Sequence, residues 1–551
     1  MRILASLSLA LLMQIAGPAP AQNRMWLVDP LEPVYPDSNT LEKYGTRYEA
    51  DFPKGTCADV HLLLRAAPGD SFTVGAELGG ASLPPGYWSR LIDVPVEQNT
   101  GLDSRTEAFT GAHNPYVIRR APFRIFEAIQ PLTSPSLAAR GTFTALRLSI
   151  PPQDFPREGT YTIRVIVHGG RWTSRGTFAA RIHAVRVPPP GEGAFFYTNW
   201  FSLAQMEEKE HLVRWTPAWF DMLNTYAALM AHGRQNCIIV PGELLSAADN
   251  RIALDEDRLA AFIAVFRSHG FRYFESPHLM YRGESDDWND PVLKVALTKH
   301  RYDTPEGKAD VDSIVSLLHA FTKRHGLTHS WLQHIADEPT AVQARCYREV
   351  VRQVRSVFPD IRIIDAVSDR DTLAGSVDIW CPTIDDFQNN QDFFRTRQSL
   401  GEEVLVYTCL VPGGPWLNRL LDQERLRQVY FGWAAAAYNT GGFLHWGLNQ
   451  YQTPDPLSRS VVHHPSPAAA PNNFLPAGDS HIIYPGPLSS TRFEAHRVGI
   501  EDYELLRMLK RRDEGKAAGL IRRLFRTYTD YSTDISLYRE TRRELLQSLT
   551  P

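Results

Sequence analysis

Two adjacent acids, Asp337 and Glu338, stand in the run Gln333-His334-Ile335-Ala336-Asp337-Glu338-Pro339 and have the clearest chemical potential in the chain. Hydrolysis of a glycosidic bond needs a proton donor for the leaving oxygen and a negative group facing the developing oxocarbenium ion. Two carboxyls in one loop can supply both, and their mutual repulsion raises one pKa, which keeps the donor protonated. The pair alone is weak evidence. The competing reading is a solvated loop or a helix start, and Pro339 suits a first helical position.

A second constellation comprises Asn199 and Trp200, Glu275 and His278, Asp385 and Asp386, Tyr407, and His445, Trp446 and Asn449. Rings that stack on the flat C–H faces of a sugar, mixed with directional hydrogen-bonding groups, suit a carbohydrate site. A structural role competes for each of them, and His445 reads equally well as a satisfied core histidine. His463-His464 reads as solvated rather than metal-binding. There is no His-Glu-x-x-His, Gly-x-Ser-x-Gly or phosphate-loop pattern, so zinc proteases, α/β-hydrolases and P-loop enzymes lose their main support. Neither a metal nor a cofactor is expected.

These residues need a scaffold. Residues 23–187 read as β-rich. In 161–167, Tyr161, Ile163, Val165 and Val167 share one face at period two, and Leu146, Leu148 and Ile150 do so in 145–150. Stretches 58–66 and 72–78 look similar, and Pro/Gly turns between short strands suggest a β-sandwich. Val187-Pro188-Pro189-Pro190-Gly191 is a stiff linker and the clearest boundary.

Beyond the linker, strands alternate with helices. Strands are expected at 195–200, 236–241, 271–277, 330–336, 361–366, 377–382, 403–408 and 442–446. Helices are expected at 217–232, 257–269, 311–324, 341–358 and 424–437. In the second helix Leu259, Phe262, Ile263 and Phe266 fall on one face, and Gly270 follows as its stop. Some eight strands in about 250 residues match a (β/α)8 TIM-barrel-like domain, whose chemistry sits at the C-terminal ends of the strands. A doubly wound open sheet is the alternative, weakened because no Gly-x-Gly-x-x-Gly follows an early strand. Residues 453–478 read as a long surface loop with little order, and residues from 492 onward as helical.

The 551 residues suggest two to four domains at roughly 100–200 residues each. The expected division is a signal peptide over 1–21, a β-sandwich over 23–187, a catalytic barrel over 191–511 and a helical segment over 512–551. The 58 basic and 62 acidic residues nearly cancel, leaving no basic face for nucleic acid. With 12 Trp, 21 Tyr and 26 Phe the chain has rings to line a sugar site, though most must be core. Arg2, the apolar run 3–16 and Ala19-Pro20-Ala21 make a secretory signal, so an exported protein, periplasmic or extracellular, is expected. No later run is apolar enough to span a membrane. The five scattered cysteines form no C-x-x-C pair and read as buried free thiols. Oligomeric state is not legible.

Four stretches resemble glycoside hydrolase family 123 and its wider relatives. They are Asp337-Glu338-Pro339 after a strand; Val406-Tyr407-Thr408-Cys409 with Pro412 and Asn418; Gly442-Phe443-Leu444-His445-Trp446-Gly447-Leu448-Asn449; and Gly478-Asp479, Tyr484-Pro485-Gly486, Arg492-Phe493-Glu494-Ala495 and Arg497 through Glu504. The order and spacing cover roughly residues 190–510. The resemblance implies β-N-acetylgalactosaminidase-like chemistry, in which the substrate's own 2-acetamido oxygen attacks the anomeric carbon with overall retention. It implies that Asp337 orients the acetamido group and that Glu338 is general acid, then general base. It also implies that Tyr407 bonds the acetamido carbonyl and that Trp446 floors the sugar. Two alternatives remain: a hydrolase of a sugar lacking the acetamido group, with Glu275, Asp385 or Asp386 as the extra carboxylate, and a non-catalytic carbohydrate-binding protein.

Overall fold

The computed structural model describes residues 24–550, apart from 39, 40, 42, 250 and 465–471. The expected signal over 1–21 lies outside the described residues.

The N-terminal strands build two six-stranded sheets. The first runs Arg24–Val28, Ala58–Arg65, Phe143–Ile150, Trp88–Val96, Phe123–Pro131 and, from far along the chain, Ser489–Ser490. The second is built on Arg47–Lys54, Thr173–Arg186, Gly159–Gly169 and Ser71–Leu78. Period-two alternation does its expected work: Ile163, Val165 and Val167 of the second sheet are fully buried in one apolar cluster with Leu146, Leu148 and Ile150 of the first.

Alternation alone does not foresee that Phe143–Ile150 is buried on both faces. Its other side carries Arg147, which donates to Asp59 of the same sheet at 3.0 Å and to Glu494 at 3.1 Å. The first sheet is thus covered on its second face by the C-terminal part of the chain.

Eight parallel strands close a barrel: β1 (Phe196–Asn199), β2 (Cys237–Ile239), β3 (Tyr273–Glu275), β4 (Trp331–Gln333), β5 (Arg362–Val367), β6 (Ile379–Pro382), β7 (Glu403–Tyr407) and β8 (Gly442–His445). All eight fall at the expected positions, and β8 pairs back onto β1, Asn199 opposite His445. A closed ring replaces the open-sheet alternative. Leu332, Ile364, Ala366, Ile379, Leu405 and Leu444 form a small core cluster with Cys237 and Cys381, while the larger apolar cluster holds the opposite faces of the strands against the helices.

The helices start where their caps are. Helix α1 (Pro217–His232) has Thr216 as N-cap and Pro217 in its first turn. Helix α2 (Glu256–Ser268) buries Leu259, Phe262, Ile263 and Phe266 as expected, and the chain turns at Gly270 with φ +87°. Helix α3 (Pro305–Arg324) starts six residues earlier than the apolar periodicity suggested. The Thr304 N-cap and Pro305 were the overlooked signal.

Helix α4 (Ala344–Val357), helix α5 (Leu426–Tyr438) and the long helix α6 (Thr491–Arg512) complete the part that concerns the site. Helix α6 is clamped to the first sheet by charge. Glu127 accepts from Arg492 at 2.6 Å and from Arg425 at 3.1 Å, with all three side chains essentially sealed from water. Arg497 of α6 donates to Asp59 at 3.1 Å.

Residues 453–478 depart from the surface-loop reading. The described part forms a short hairpin, Val462–His463 with Phe474–Leu475, and buries Val461, Val462, Leu475 and Ala477. Its Pro- and Ser-rich composition hid apolar residues that pack against the first sheet and Tyr484. The five cysteines are free thiols, three of them buried. No described helix is long and apolar enough to cross a membrane.

Candidate active site

Directly after β4 the chain runs through His334 and Ile335 to Asp337 and Glu338, so the pair lies at a strand's C-terminal end. Glu338 adopts a left-handed backbone, φ +46°, uncommon for a side chain of its size. The turn is stapled from three sides. The Glu338 N–H donates to the Ala366 carbonyl of β5 at 3.1 Å. Arg282 donates to the Asp337 carbonyl at 2.7 Å, and Ser368 Oγ to the Glu338 carbonyl at 3.2 Å.

Both carboxyls open into a cavity of about 620 Å³, counting its mouth. Trp200, Tyr407, Leu444, Trp446, His464 and Leu475 make most of its wall. The size and the mostly apolar wall suit a small organic ligand such as one sugar ring. Burial pushes the Asp337 carboxyl up to about 6, with the His334 charge pulling it down and Asp365 pushing it up. Burial and the Asp337 charge raise Glu338 too, opposed by a hydrogen bond from the Tyr407 hydroxyl to Glu338 Oε1. Two neighbouring carboxyls with raised pKa values titrate as one unit and hold a proton at pH values where isolated acids have lost it.

A fully buried ionic relay lies beneath the pair. His334 bonds Asp365 Oδ1 through Nδ1 at 2.9 Å and faces Glu275 Oε2 through Nε2 at 3.3 Å. Burial alone would lower the ring's pKa, but the two carboxylates raise it to about 10, so it is an imidazolium. Asp365 also accepts from the Ile335 N–H at 3.0 Å and from Tyr347 Oη at 2.6 Å. Glu275 accepts from the Trp200 indole N–H at 3.1 Å, which fixes one wall of the cavity. Among the described residues, His278, His334 and Asp365 bring donor atoms close enough together for a metal ion. His334 already has a carboxylate on each ring nitrogen, so the arrangement reads as an ion-pair relay.

Residues 251–509 match the family model of the glycoside hydrolase 123 catalytic domain. The chain carries a family 123 glycoside hydrolase domain. The fold agrees. A family 123 glycoside hydrolase from Clostridium perfringens, solved in work on glycolipid glycan hydrolysis, superimposes with TM-score 0.69 at 13% identity over 96% of this chain and 97% of that one. A Thermotoga petrophila endo-β-1,4-mannanase gives 0.35 at 10% identity over 57% and 77%, and a Thermobacillus composti GH10 xylanase 0.34 at 11% over 56% and 97%. These last two are too distant to bear an argument. No curated protein matches the chain.

The cavity gathers Asp337, Glu338, Tyr407, Trp446 and Trp200 from the expected set. It does not gather the others. Asn199 is sealed and accepts from Arg419 at 2.6 Å. Asn449 is sealed too, and binds both the N–H and the carbonyl of Ser202 at 2.7 and 3.0 Å. Asp386 pairs with Arg370 at 2.6 Å in the helical turn Ile384–Asn389. His278 packs on Trp200 and His334 and faces a neighbouring apolar recess instead. These amides and acids have fixed protein partners, which strand-end position alone does not reveal. His445 is a core histidine whose Nδ1 accepts from the Gly447 N–H at 3.0 Å.

His464, read from the sequence as solvated, is instead half-buried and lines the cavity, and sequence reasoning passed over Arg282 and Asp365, which hold the pair's turn. Asp365 did leave a trace: it is an acid in the middle of an otherwise apolar strand, and such a residue needs buried partners. Arg282 and His464 left none, since each reaches the site from a segment without periodicity.

Proposed function

We propose that this family 123 glycoside hydrolase removes terminal β-linked 2-acetamido sugars, N-acetylgalactosamine-like, from glycans by a retaining, substrate-assisted mechanism. The observation behind this reading is the composition of the cavity wall: Asp337 and Glu338 are its carboxylates, and among the described residues no third one lines it. A double displacement through an enzyme carboxylate needs a nucleophile on the opposite side of the anomeric carbon from the acid. Glu275 is sealed beneath the cavity and bonded to His334 and Trp200, and neither Asp385 nor Asp386 lines the wall. A substrate that brings its own nucleophile has no need of them.

In this mechanism the acetamido oxygen forms a bond to the anomeric carbon while the bond to the leaving oxygen breaks. Glu338 gives its proton to that oxygen, and Asp337, ionised, steadies the positive oxazolinium ring. Water then attacks the anomeric carbon, returns its proton to Glu338 and expels the acetamido oxygen. Two inversions give retention. Tyr407, which holds Glu338 in the free enzyme, is within the same wall and is assigned to the acetamido carbonyl once substrate is bound. Trp446 supplies the floor.

The test is a screen of aryl β-glycosides with and without a 2-acetamido group. Turnover confined to the acetamido series supports the proposal. Equal turnover of sugars lacking the group overturns it, and sugar binding without hydrolysis across the panel favours a non-catalytic binder. We extend the reading to export through residues 1–21, to an N-terminal sandwich over 23–187, and to a (β/α)8 catalytic unit over 191–511 followed by a helical segment.

A further inference from the structure

The loop after β3 places one large ring in water beside the catalytic turn. Trp288 is 40% exposed, which is unusual for a side chain that normally buries large area. It is nevertheless held rigidly. The Arg282 guanidinium lies 3.8 Å from the ring centroid. The indole N–H donates to Asp286 at 3.2 Å, and Asp286 accepts from Arg282 Nε at 2.7 Å. The Trp288 carbonyl accepts from Thr340 Oγ1 at 3.4 Å.

Each of these ties leads to the acids. Arg282 is the residue that donates to the Asp337 carbonyl at 2.7 Å, and Thr340 follows Glu338 by two positions. Strands β3 and β4 are neighbours in the barrel, so their C-terminal loops share one face and one rim. Arg282 covers one face of the Trp288 ring, and the residue as a whole remains 40% exposed. Its chain neighbours Asp287 and Asn289 are exposed and polar. A fixed aromatic face edged by polar side chains is what a pyranose ring recognises, and none of this is used by the terminal sugar in the cavity.

We propose that Trp288, backed by Arg282, is the subsite for the leaving-group sugar, the residue to which the terminal sugar is linked. The inference rests on the glycosidase reading, but not on the acetamido assignment. The ring stacks on the second sugar and aligns the bond to be cut with the Glu338 proton. The enzyme is then built for glycan chains rather than for isolated monosaccharide glycosides.

The experiment compares two substrates with the same terminal sugar: an oligosaccharide, and the glycosyl azide, whose activated leaving group has no ring. In Trp288→Ala the ratio of kcat/KM for oligosaccharide over azide is expected to fall by about tenfold, the size of one lost aromatic face. A ratio is insensitive to the fraction of folded enzyme. Trp288→Phe, which keeps a ring, is expected to recover most of the ratio. An unchanged ratio in Trp288→Ala, or a Phe variant as poor as the Ala variant, overturns the subsite. If the wild-type enzyme prefers sugars without the acetamido group, the proposed mechanism fails, and the ratio is measured on the sugar it does cleave.

Discussion

His334 Nδ1 lies 2.9 Å from Asp365 Oδ1, and the same Asp365 side chain receives the Ile335 N–H, so a histidine directly after β4 and an aspartate of β5 together fix the segment that ends in Asp337 and Glu338. The relay does two jobs. It sets the position of Asp337 and Glu338, and it places a positive charge below them that favours the ionised form of Asp337.

The proton-donor role proposed for Glu338 is tested by Glu338→Gln, and that of Asp337 by Asp337→Asn. General acid–base groups contribute roughly 10²–10⁴ in rate. A fall in kcat of that size is expected in each on a 2-acetamido β-glycoside. Turnover close to wild type in either variant removes that residue from its role.

The Asp337 carboxyl, held near 6 against 3.8 for an ordinary aspartate, makes two predictions with one sign. The proposed mechanism uses Asp337 ionised and Glu338 protonated, so kcat/KM should rise with pH through an acid limb near 6. It should fall again as the pair loses its second proton. Because the folded state binds the Asp337 proton more tightly than the unfolded chain, this group's contribution to stability declines as pH rises from about 4 to 6. Asp337→Asn should therefore melt higher than wild type at pH 7, by of order 1–3 kcal/mol, with no gain below pH about 4. Thermal melts across pH 3–8 check this.

His334 carries the opposite sign. Its pKa is raised to about 10 by its two carboxylates, so its stabilising contribution is full below about 6.5 and is lost as pH climbs through 10. His334→Gln leaves Glu275 and Asp365 buried without their counter-charge, a loss of about 3–5 kcal/mol. The variant should also move the acid limb of kcat/KM upward, since Asp337 no longer feels the cation. Glu275→Gln should move it downward by making the relay more positive. Limbs that stay in place would make the relay purely structural.

Glu127 joins the first sheet to helix α6 through Arg425 and Arg492. The two cations hold the buried Glu127 carboxyl below the usual carboxylate range, overcoming the burial that would raise it. Glu127→Gln strands two buried arginines and should lose about 3–5 kcal/mol. The wild-type contribution of this group is present at neutral pH and disappears as the carboxylate protonates in acid, so the variant should lie nearest to wild type at low pH. A single melting transition in which both parts unfold together is expected.

Periodicity in the sequence was enough to locate the eight barrel strands and five of the helices, though not the true start of α3 or the hairpin within 453–478. Ile163, Val165 and Val167 had to share a face, and Leu259, Phe262, Ile263 and Phe266 had to share another, because backbone geometry fixes which neighbours point together. The succession of elements set the order of the eight barrel strands, and Asp337-Glu338 was readable at the end of one of them. What the sequence by itself left open was which polar residues face a substrate and which face each other. Asn199, Asn449 and Asp386 looked as suitable for a sugar as Tyr407 and Trp446. Tertiary packing decided between them by giving the first three protein partners: Arg419, Ser202 and Arg370. It also brought Arg282, Asp365 and His464 to the site from distant segments, and set Leu475 of the short hairpin in the cavity wall. Burial and long-range hydrogen bonding belong to three-dimensional proximity, and no local period in a chain encodes them.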